Sequence, residues 1–304
     1  MSKKLPLVSI ITPVYNRAPL VDKTIKSVLR QDYQNIEYII LDDGSTDGGW
    51  EIIQKIKKNN RSKKKVIIKS HPNMGEARTV NKGFKIAKGE YIGIVNSDDP
   101  LLPGAIKEIV KFFLGHPQII VAYPDWNMID DKGRLIRKVI TQKYDFVEMV
   151  RTFYCVPGPG TFFRRKVVDK LKGRDEKFRY VADYDFWLRA GFLGPFGRIP
   201  KTLATFRVHQ DSASVSHRGL RMAKENIELI RKIYNLPHLP KNILAIRKEA
   251  FSNAYLVAWL MCGDGYQFQK DIYYLQSLIY RLSYFPGYVR VLKRIISKFF
   301  RSNL

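Results

Sequence analysis

The chain has 304 residues, 45% of them hydrophobic, which suits a folded protein with a sizeable core in one large domain or a domain with an appendage. Its 53 Lys and Arg against 28 Asp and Glu give a formal charge of +25, so an acidic partner is expected: nucleic acid, anionic lipid or a polyphosphate substrate. Cys155 and Cys262 alone exclude a disulfide framework, and no apolar run approaches the roughly 20 residues that span a bilayer, Ala254 to Cys262 being the nearest.

Met1-Ser2-Lys3-Lys4-Leu5-Pro6 leads straight into a strand-like run, not a signal-peptide core, and the expected location is cytoplasmic. The first third then alternates strand and helix signals. Strands are predicted at Leu7 to Thr12, Ile36 to Leu41, Val66 to Lys69, Tyr91 to Val95 and Ile119 to Tyr123. Helices are predicted at Pro19 to Arg30, from a Thr46 or Asp47 cap to about Lys58, at Gly75 to Ala87 and at Pro103 to Leu114. This order argues for an α/β fold with a mostly parallel sheet flanked by helices.

From about Asp130 to Val208 the pattern is mixed. Asp131-Lys132-Gly133 signals a hairpin, Val156-Pro157-Gly158-Pro159-Gly160 a loop, and Tyr184 to Phe192 a helix. Helices without clear strands follow from about His217. Tyr288 to Leu304 is amphipathic. Tyr288, Val289, Val291, Leu292, Ile295, Ile296, Phe299 and Phe300 share one half of a wheel, and Arg290, Lys293, Arg294, Lys298 and Arg301 the other. That pattern fits a helix lying on anionic lipid at the inner face of the cell membrane, or one packing its apolar face on protein.

Asn96-Ser97-Asp98-Asp99 follows the buried strand Tyr91 to Val95. Adjacent carboxylates at a strand end repel and need solvation or a cation, and oxygen ligands suit Mg²⁺ or Mn²⁺. Ligands of such sheets bind beyond the carboxyl ends of strands, where Asp42 and Asp43 also fall. A carboxylate at Asp43 could accept from a base N–H, and Tyr15 could stack on the ring. The plainer alternatives are turns and helix caps at both acidic pairs.

Seven segments stand in order: Ile10-Ile11-Thr12-Pro13-Val14-Tyr15-Asn16; Leu41-Asp42-Asp43-Gly44-Ser45; Asn73-Met74-Gly75-Glu76-Ala77-Arg78 with Asn81-Lys82-Gly83; Asn96-Ser97-Asp98-Asp99; Pro159-Gly160-Thr161-Phe162-Phe163-Arg164; Ala182-Asp183-Tyr184-Asp185-Phe186-Trp187; and Phe206-Arg207-Val208-His209. Over about residues 7 to 215 this order resembles the family-2 inverting glycosyltransferases of the GT-A fold. The resemblance implies a GT-A domain at 1–215, followed by a helical C-terminal region at 216–304 that ends in the basic amphipathic helix.

It also implies a reaction, transfer of a sugar from a nucleotide sugar, UDP-linked, to an acceptor hydroxyl of a glycan or lipid-linked molecule. Thr12, Tyr15, Asp43, Arg78, Asn96 and Asp98 would hold the donor, and Asp98, with His209, a Mn²⁺ or Mg²⁺ ion. Asn96 departs from the family's usual first Asp, and Ala182 from a frequent Glu. Asp183 would be the general base that takes the acceptor's proton. Asp185, two residues on, reads as structural.

Three rivals make different demands. Nucleotidyl transfer would want a Gly-rich loop after the first strand, which Thr12 to Arg17 lacks. Nucleic-acid binding would want a recognisable module, and none appears, so no nucleic-acid partner is expected. A non-catalytic binding domain sits poorly with intact Asp98 and Asp183. The sugar, the linkage and the oligomeric state are not legible.

Overall fold

The computed structural model describes residues 5–210 and 219–282. The amphipathic stretch 288–304 lies outside the described residues. The chain divides into two compact units, Met1–Tyr144 with Cys155–Val215, and Asp145–Tyr154 with Ser216–Leu304.

The first unit is built on one sheet. Its elements are β1 (Val8–Val14), α1 (Ala18–Leu29), β2 (Ile36–Asp42), α2 (Gly49–Lys58), β3 (Lys65–Ser70), α3 (Glu76–Ile86), β4 (Tyr91–Ile94), α4 (Ala105–Gly115), β5 (Val121–Ile129) and β6 (Leu135–Val139), followed after an excursion into the second unit by β7 (Phe162–Arg164), α6 (Arg165–Leu171), α7 (Ala182–Gly191) and β8 (Phe196–Arg207). The sheet order is β3-β2-β1-β4-β7-β5-β6, with β8 also paired to β5. β1, β2, β3 and β4 pair in parallel, as do β5 and β8, while β6 and β7 run antiparallel to their neighbours. The expected mostly parallel sheet flanked by helices is therefore present. The predicted hairpin is the β5–β6 turn, where Asp130 accepts from Gly133 N and Arg134 N.

The reason for the central placement of β1 and β2 is compositional. Every residue of both strands is buried, as a parallel strand covered on both faces requires. β3, at the sheet edge, is largely half-buried or exposed. β4 comes close to β7, and Gly93 makes that approach possible. A Cβ there would lie 2.1 Å from the Phe162 ring, whose side chain is wholly buried.

Two helix starts differ from expectation. α2 begins after Gly48 and α4 after Gly104, both with positive φ. Asp47 still serves α2, since its Oδ1 accepts from Gly49 N at 3.0 Å while Oδ2 accepts from Ala18 N at 2.8 Å. One carboxylate thus binds the N-termini of two helices, where backbone N–H groups lack intrahelical partners.

The second unit is helical: α5 (Phe146–Thr152), α8 (Leu220–Tyr234), α9 (Lys241–Ala245), α10 (Arg247–Met261) and α11 (Gln267–Leu282). Tyr234, Phe251, Tyr255 and Tyr280 form its aromatic centre, and Asn253 Nδ2 donates to Arg151 O at 2.7 Å. No described helix is long and apolar enough to cross a membrane.

Gly93→Ala is expected to destabilise the protein by about 1–3 kcal/mol through overpacking against Phe162. Urea denaturation checks this, and an unchanged midpoint would contradict the packing described.

Candidate active site

The loops that leave β1, β2 and β4 at their carboxyl ends are stitched together. Asn16, at φ 50°, accepts from Thr46 N through Oδ1 (2.9 Å), and its own N–H donates to Ser45 Oγ (3.0 Å). Asp43 N donates to Val14 O at 2.8 Å, which sets Asp43 beside the start of the Tyr15 loop. Val95 N donates to Ile11 O at 2.9 Å and carries β4 into Asn96-Ser97-Asp98-Asp99. β2 and β4 flank β1, so their ends stand about 10 Å apart, two strand spacings.

At the β4 end, the two carboxylates have different surroundings. Asp99 is buried, its Oδ1 accepting from Arg207 N (2.8 Å) and its Oδ2 from Asn96 Nδ2 (3.1 Å). Burial first, and the neighbouring Asp98 second, push its carboxyl well above the ordinary range, against the lowering effect of Arg207 and Asn96. Asp98 is the more open of the pair. Its Oδ2 lies 3.0 Å from His209 Nε2 and 3.5 Å from Arg17 Nε. Arg207, buried at the end of β8, ties this loop to the β5–β6 turn, donating to Asp98 O, Asp130 O and Asp131 O. Asp98, Asn96 and His209 are thus brought together.

At the β2 end, Asp42 is spent on structure, with Oδ1 accepting from Ser45 N and Oδ2 from Ser70 Oγ. Asp43 holds the segment before α3: Oδ1 accepts from Met74 N (2.7 Å) and Oδ2 from Gly75 N (3.0 Å). His71 Nδ1 is 3.4 Å from the same Oδ1, and its buried Nε2 has no hydrogen-bond partner. Gly44, at φ 74°, makes the turn, and a Cβ there would lie 2.8 Å from Asn73 N. Tyr15 stands open at the rim, 48% exposed.

Two expected residues lie differently from the rest. Thr12 is wholly buried and its hydroxyl is 3.1 Å from that of Tyr38. It shares a strand face with Val8, Ile10 and Val14, all in the core, so its side chain faces inward. Arg78 lies on the outer face of α3, with Nε 3.2 Å from Glu176 Oε2 on an exposed surface.

Asp183 sits in the first turn of α7 and accepts from Tyr184 N at 2.7 Å. The residue as a whole is exposed, yet protein crowds its carboxyl. That crowding raises its pKa above the ordinary aspartate value; Arg174 and backbone N–H groups pull it down and Glu76 pushes it up. The residue's exposure moderates all of these effects. Cys155 lies within its electrostatic reach, with a thiol pushed well up by burial and then by Asp183. Asp185 is fully buried and paired to Arg189 at 2.7 Å, a structural placement.

Among the described residues no three His, Cys, Asp or Glu side chains converge to hold a metal unaided. The donor pair Asp98 and His209 nevertheless suits a divalent ion. Their facing atoms are 3.0 Å apart, the spacing of neighbouring ligands each about 2.1 Å from an octahedral centre, which would complete its shell from substrate phosphate and water. Two surface clefts, of about 310 and 500 Å³, lie along α1, the first against Leu101 and Pro103 and the second against α2, and contain none of these residues.

Sequence reasoning passed over Arg17, His71, Glu76 and Arg174. The partner of each is 28 to 98 residues away: Asp98 for Arg17, Asp43 for His71, and Glu76 and Arg174 for one another. Only the fold brings them in.

Comparison with known proteins agrees with this architecture. The chain is 32% identical over 221 residues to a hyaluronan synthase of Pasteurella multocida, covering 72% of this chain but 22% of the relative. It is 31% identical to the UDP-Glc:alpha-D-GlcNAc-diphosphoundecaprenol beta-1,3-glucosyltransferase WfaP of Escherichia coli, covering 70% of this chain and 81% of the relative. The chain therefore spans about a fifth of the hyaluronan synthase. Among solved structures, S. aureus TarS residues 1–349 with UDP-GlcNAc superimposes with a TM-score of 0.67 at 18% identity, covering 89% of this chain and 81% of that one, which shows a shared GT-A fold. Residues 9–172 match the profile of glycosyl transferase family 2, and the chain belongs to that family.

Proposed function

We propose that the chain transfers a sugar from a nucleotide sugar to an acceptor hydroxyl in cell-surface glycan synthesis, with inversion at the anomeric carbon. The observation that carries this reading is the convergence of Asp98, His209 and Arg17 at the carboxyl ends of β1, β4 and β8. A carboxylate, an imidazole and a guanidinium there suit a diphosphate leaving group, and little else in the sheet needs them. A UDP-linked donor is favoured by the UDP-Glc in the name of WfaP and the UDP-GlcNAc of the TarS complex.

In this reading Tyr15 stacks on the base and Asp43 shapes its pocket through Met74 and Gly75. Asn96 meets the ribose, and Thr12 supports the site from beneath through Tyr38. Arg17 is the better-placed cation for the diphosphate, because Arg78 is engaged with Glu176. A divalent ion, Mn²⁺ or Mg²⁺, held by Asp98 and His209 would offset the charge that grows on the leaving diphosphate. Asp183 removes the proton from the acceptor hydroxyl as its oxygen attacks, and its raised pKa makes it a stronger base than an ordinary aspartate.

The acceptor is read as a glycan or lipid-linked hydroxyl, in keeping with the diphosphoundecaprenol acceptor in the name of WfaP. The basic half-wheel of residues 288–304, outside the described residues, would hold the enzyme at an anionic membrane surface where such an acceptor resides.

UDP release from UDP-glucose and UDP-GlcNAc, measured with Mn²⁺ and with chelator, tests the donor half. Turnover should fall on chelation, and metal-independent turnover would remove Asp98 and His209 from that role. Asp183→Asn should lower kcat by about 10²–10⁴-fold while titration calorimetry finds donor affinity unchanged. The base works only when ionised, so the rate should rise with pH through a limb above the usual aspartate value of about 3.9. Full turnover by Asp183→Asn would refute the base assignment.

A further inference from the structure

We propose that the β5–β6 hairpin is a membrane-docking ribbon that seats this edge of the sheet on the surface of an anionic bilayer. The binding stands apart from the catalytic reading. Only its purpose, bringing the Asp98 corner to a lipid-linked acceptor, rests on that reading.

β6 is the last strand of the sheet, paired with β5 along one edge. Every residue from Asp131 to Lys138 is exposed. Leu135 is 54% exposed, Ile136 53% and Ile140, just past the strand, 76%. A strand that packs one face on a core alternates apolar and polar residues. From Leu135 to Ile140 the order is instead two aliphatic residues, two basic and two aliphatic. The pairing register puts Arg137 and Val139 on one face, opposite Met128 and Trp126, and Lys138 on the other, opposite Asn127. Neither face is built to meet a core.

The exposed ribbon is fastened at both ends. At the turn, Asp130 O accepts from Gly133 N (3.0 Å) and Asp130 Oδ1 from Arg134 N (2.8 Å), while buried Arg207 donates to Asp130 O and Asp131 O. At the far end Asp125 Oδ1 accepts from Thr141 N (2.9 Å) and Thr141 Oγ1 (2.8 Å), and Arg198 holds Asp125 in turn. Arg207 also donates to Asp98 O, which fixes the ribbon beside the Asp98–His209 pair.

The side chains select the partner. Arg137 and Lys138 in mid-strand would repel a second copy pairing along the same edge, as charged residues on edge strands do. A phosphate polymer would meet the cations and leave Leu135, Ile136 and Ile140 in water. An anionic bilayer meets both, because lipid phosphates attract the charge and the acyl boundary takes the aliphatic groups. Between Asp130 and Lys143 five basic residues stand against two acidic ones, and Asp130 is already paired with Arg134 at 2.7 Å.

Sedimentation of the full chain with mixed phosphatidylcholine–phosphatidylglycerol vesicles tests this. Residues 288–304 stay intact throughout, so a loss of binding belongs to the ribbon. Leu135→Ser/Ile136→Ser/Ile140→Ser should lower the partition coefficient at least about tenfold. Arg137→Gln/Lys138→Gln should lower it about fivefold per charge. Lys57→Gln/Lys58→Gln, which removes the same charge from exposed positions on α2, should stay within about twofold of the parent. Circular dichroism checks folding, and an unfolded serine variant leaves Arg137→Gln/Lys138→Gln to decide. Parental binding by the β6 variants, an equal loss in the α2 variant, or equal binding to phosphatidylcholine alone would overturn the proposal. So would light scattering that finds a parent dimer dissociated by the β6 variants, which would give the ribbon to a second copy. A parent that binds vesicles through β6 but releases no UDP from any donor would refute the catalytic reading alone.

Discussion

Two carboxylates on consecutive residues must be held side by side at the end of a strand, and the rest of the site is arranged around that constraint. The turn after β4 leaves Asp98 the more open of the two and buries Asp99. Asp99 goes in, where Arg207 N and Asn96 Nδ2 meet its oxygens. Arg207 then spends its guanidinium on the carbonyls of Asp98, Asp130 and Asp131, locking the β4 loop to the β5–β6 turn. Removing that one side chain would take a hydrogen bond from each of three carbonyls, Asp130 O keeping Gly133 N, and deprive the buried Asp99 of the Arg207 charge. The consequence is positional: Asp98 is left facing His209 and Arg17, and the three meet at the carboxyl edge of the sheet.

The same logic operates one strand away. Asp43 gives both oxygens to the backbone before α3, so the β2 end, the α3 N-terminus and the 173–176 segment form one seated block. The β2 end and the 173–176 segment thus share a helix. Parallel strands make this economical, since every loop at their carboxyl ends opens on the same edge. Loops on that edge can vary in chemistry while the strands beneath stay uniformly apolar, as β1 and β2 are.

Much of this was legible in the sequence. The apolar runs Leu7 to Thr12 and Ile36 to Leu41 announce buried strands of a mostly parallel sheet, and the order of seven short motifs points to the family. Asp98 and Asn96 follow β4 and His209 follows β8, strands that are not neighbours in the sheet, and the bond from Arg207 N to Asp99 Oδ1 draws their ends together. Thr12 was the reverse case. Its neighbours at period two, Ile10 and Val14, are core residues, and that periodicity could have signalled an inward side chain. Arg78 looks like a diphosphate cation in a linear motif, but helical geometry turns it outward to Glu176. Arg174 and His71 carried no local signal at all: their significance comes from partners on other elements, and a single sequence does not encode such pairings in any spacing. The assignment of Asp145–Tyr154 to the helical unit was equally hidden, since its ten residues interrupt an otherwise continuous sheet-bearing stretch.

The central claim is a single displacement at the anomeric carbon, with Asp183 activating the incoming oxygen. Water can serve as that oxygen, so slow hydrolysis of a UDP-α-sugar followed by proton NMR, read before the free sugar mutarotates, tests the claim without knowledge of the natural acceptor. The account predicts that the β anomer appears first. Initial release of the α anomer would contradict it.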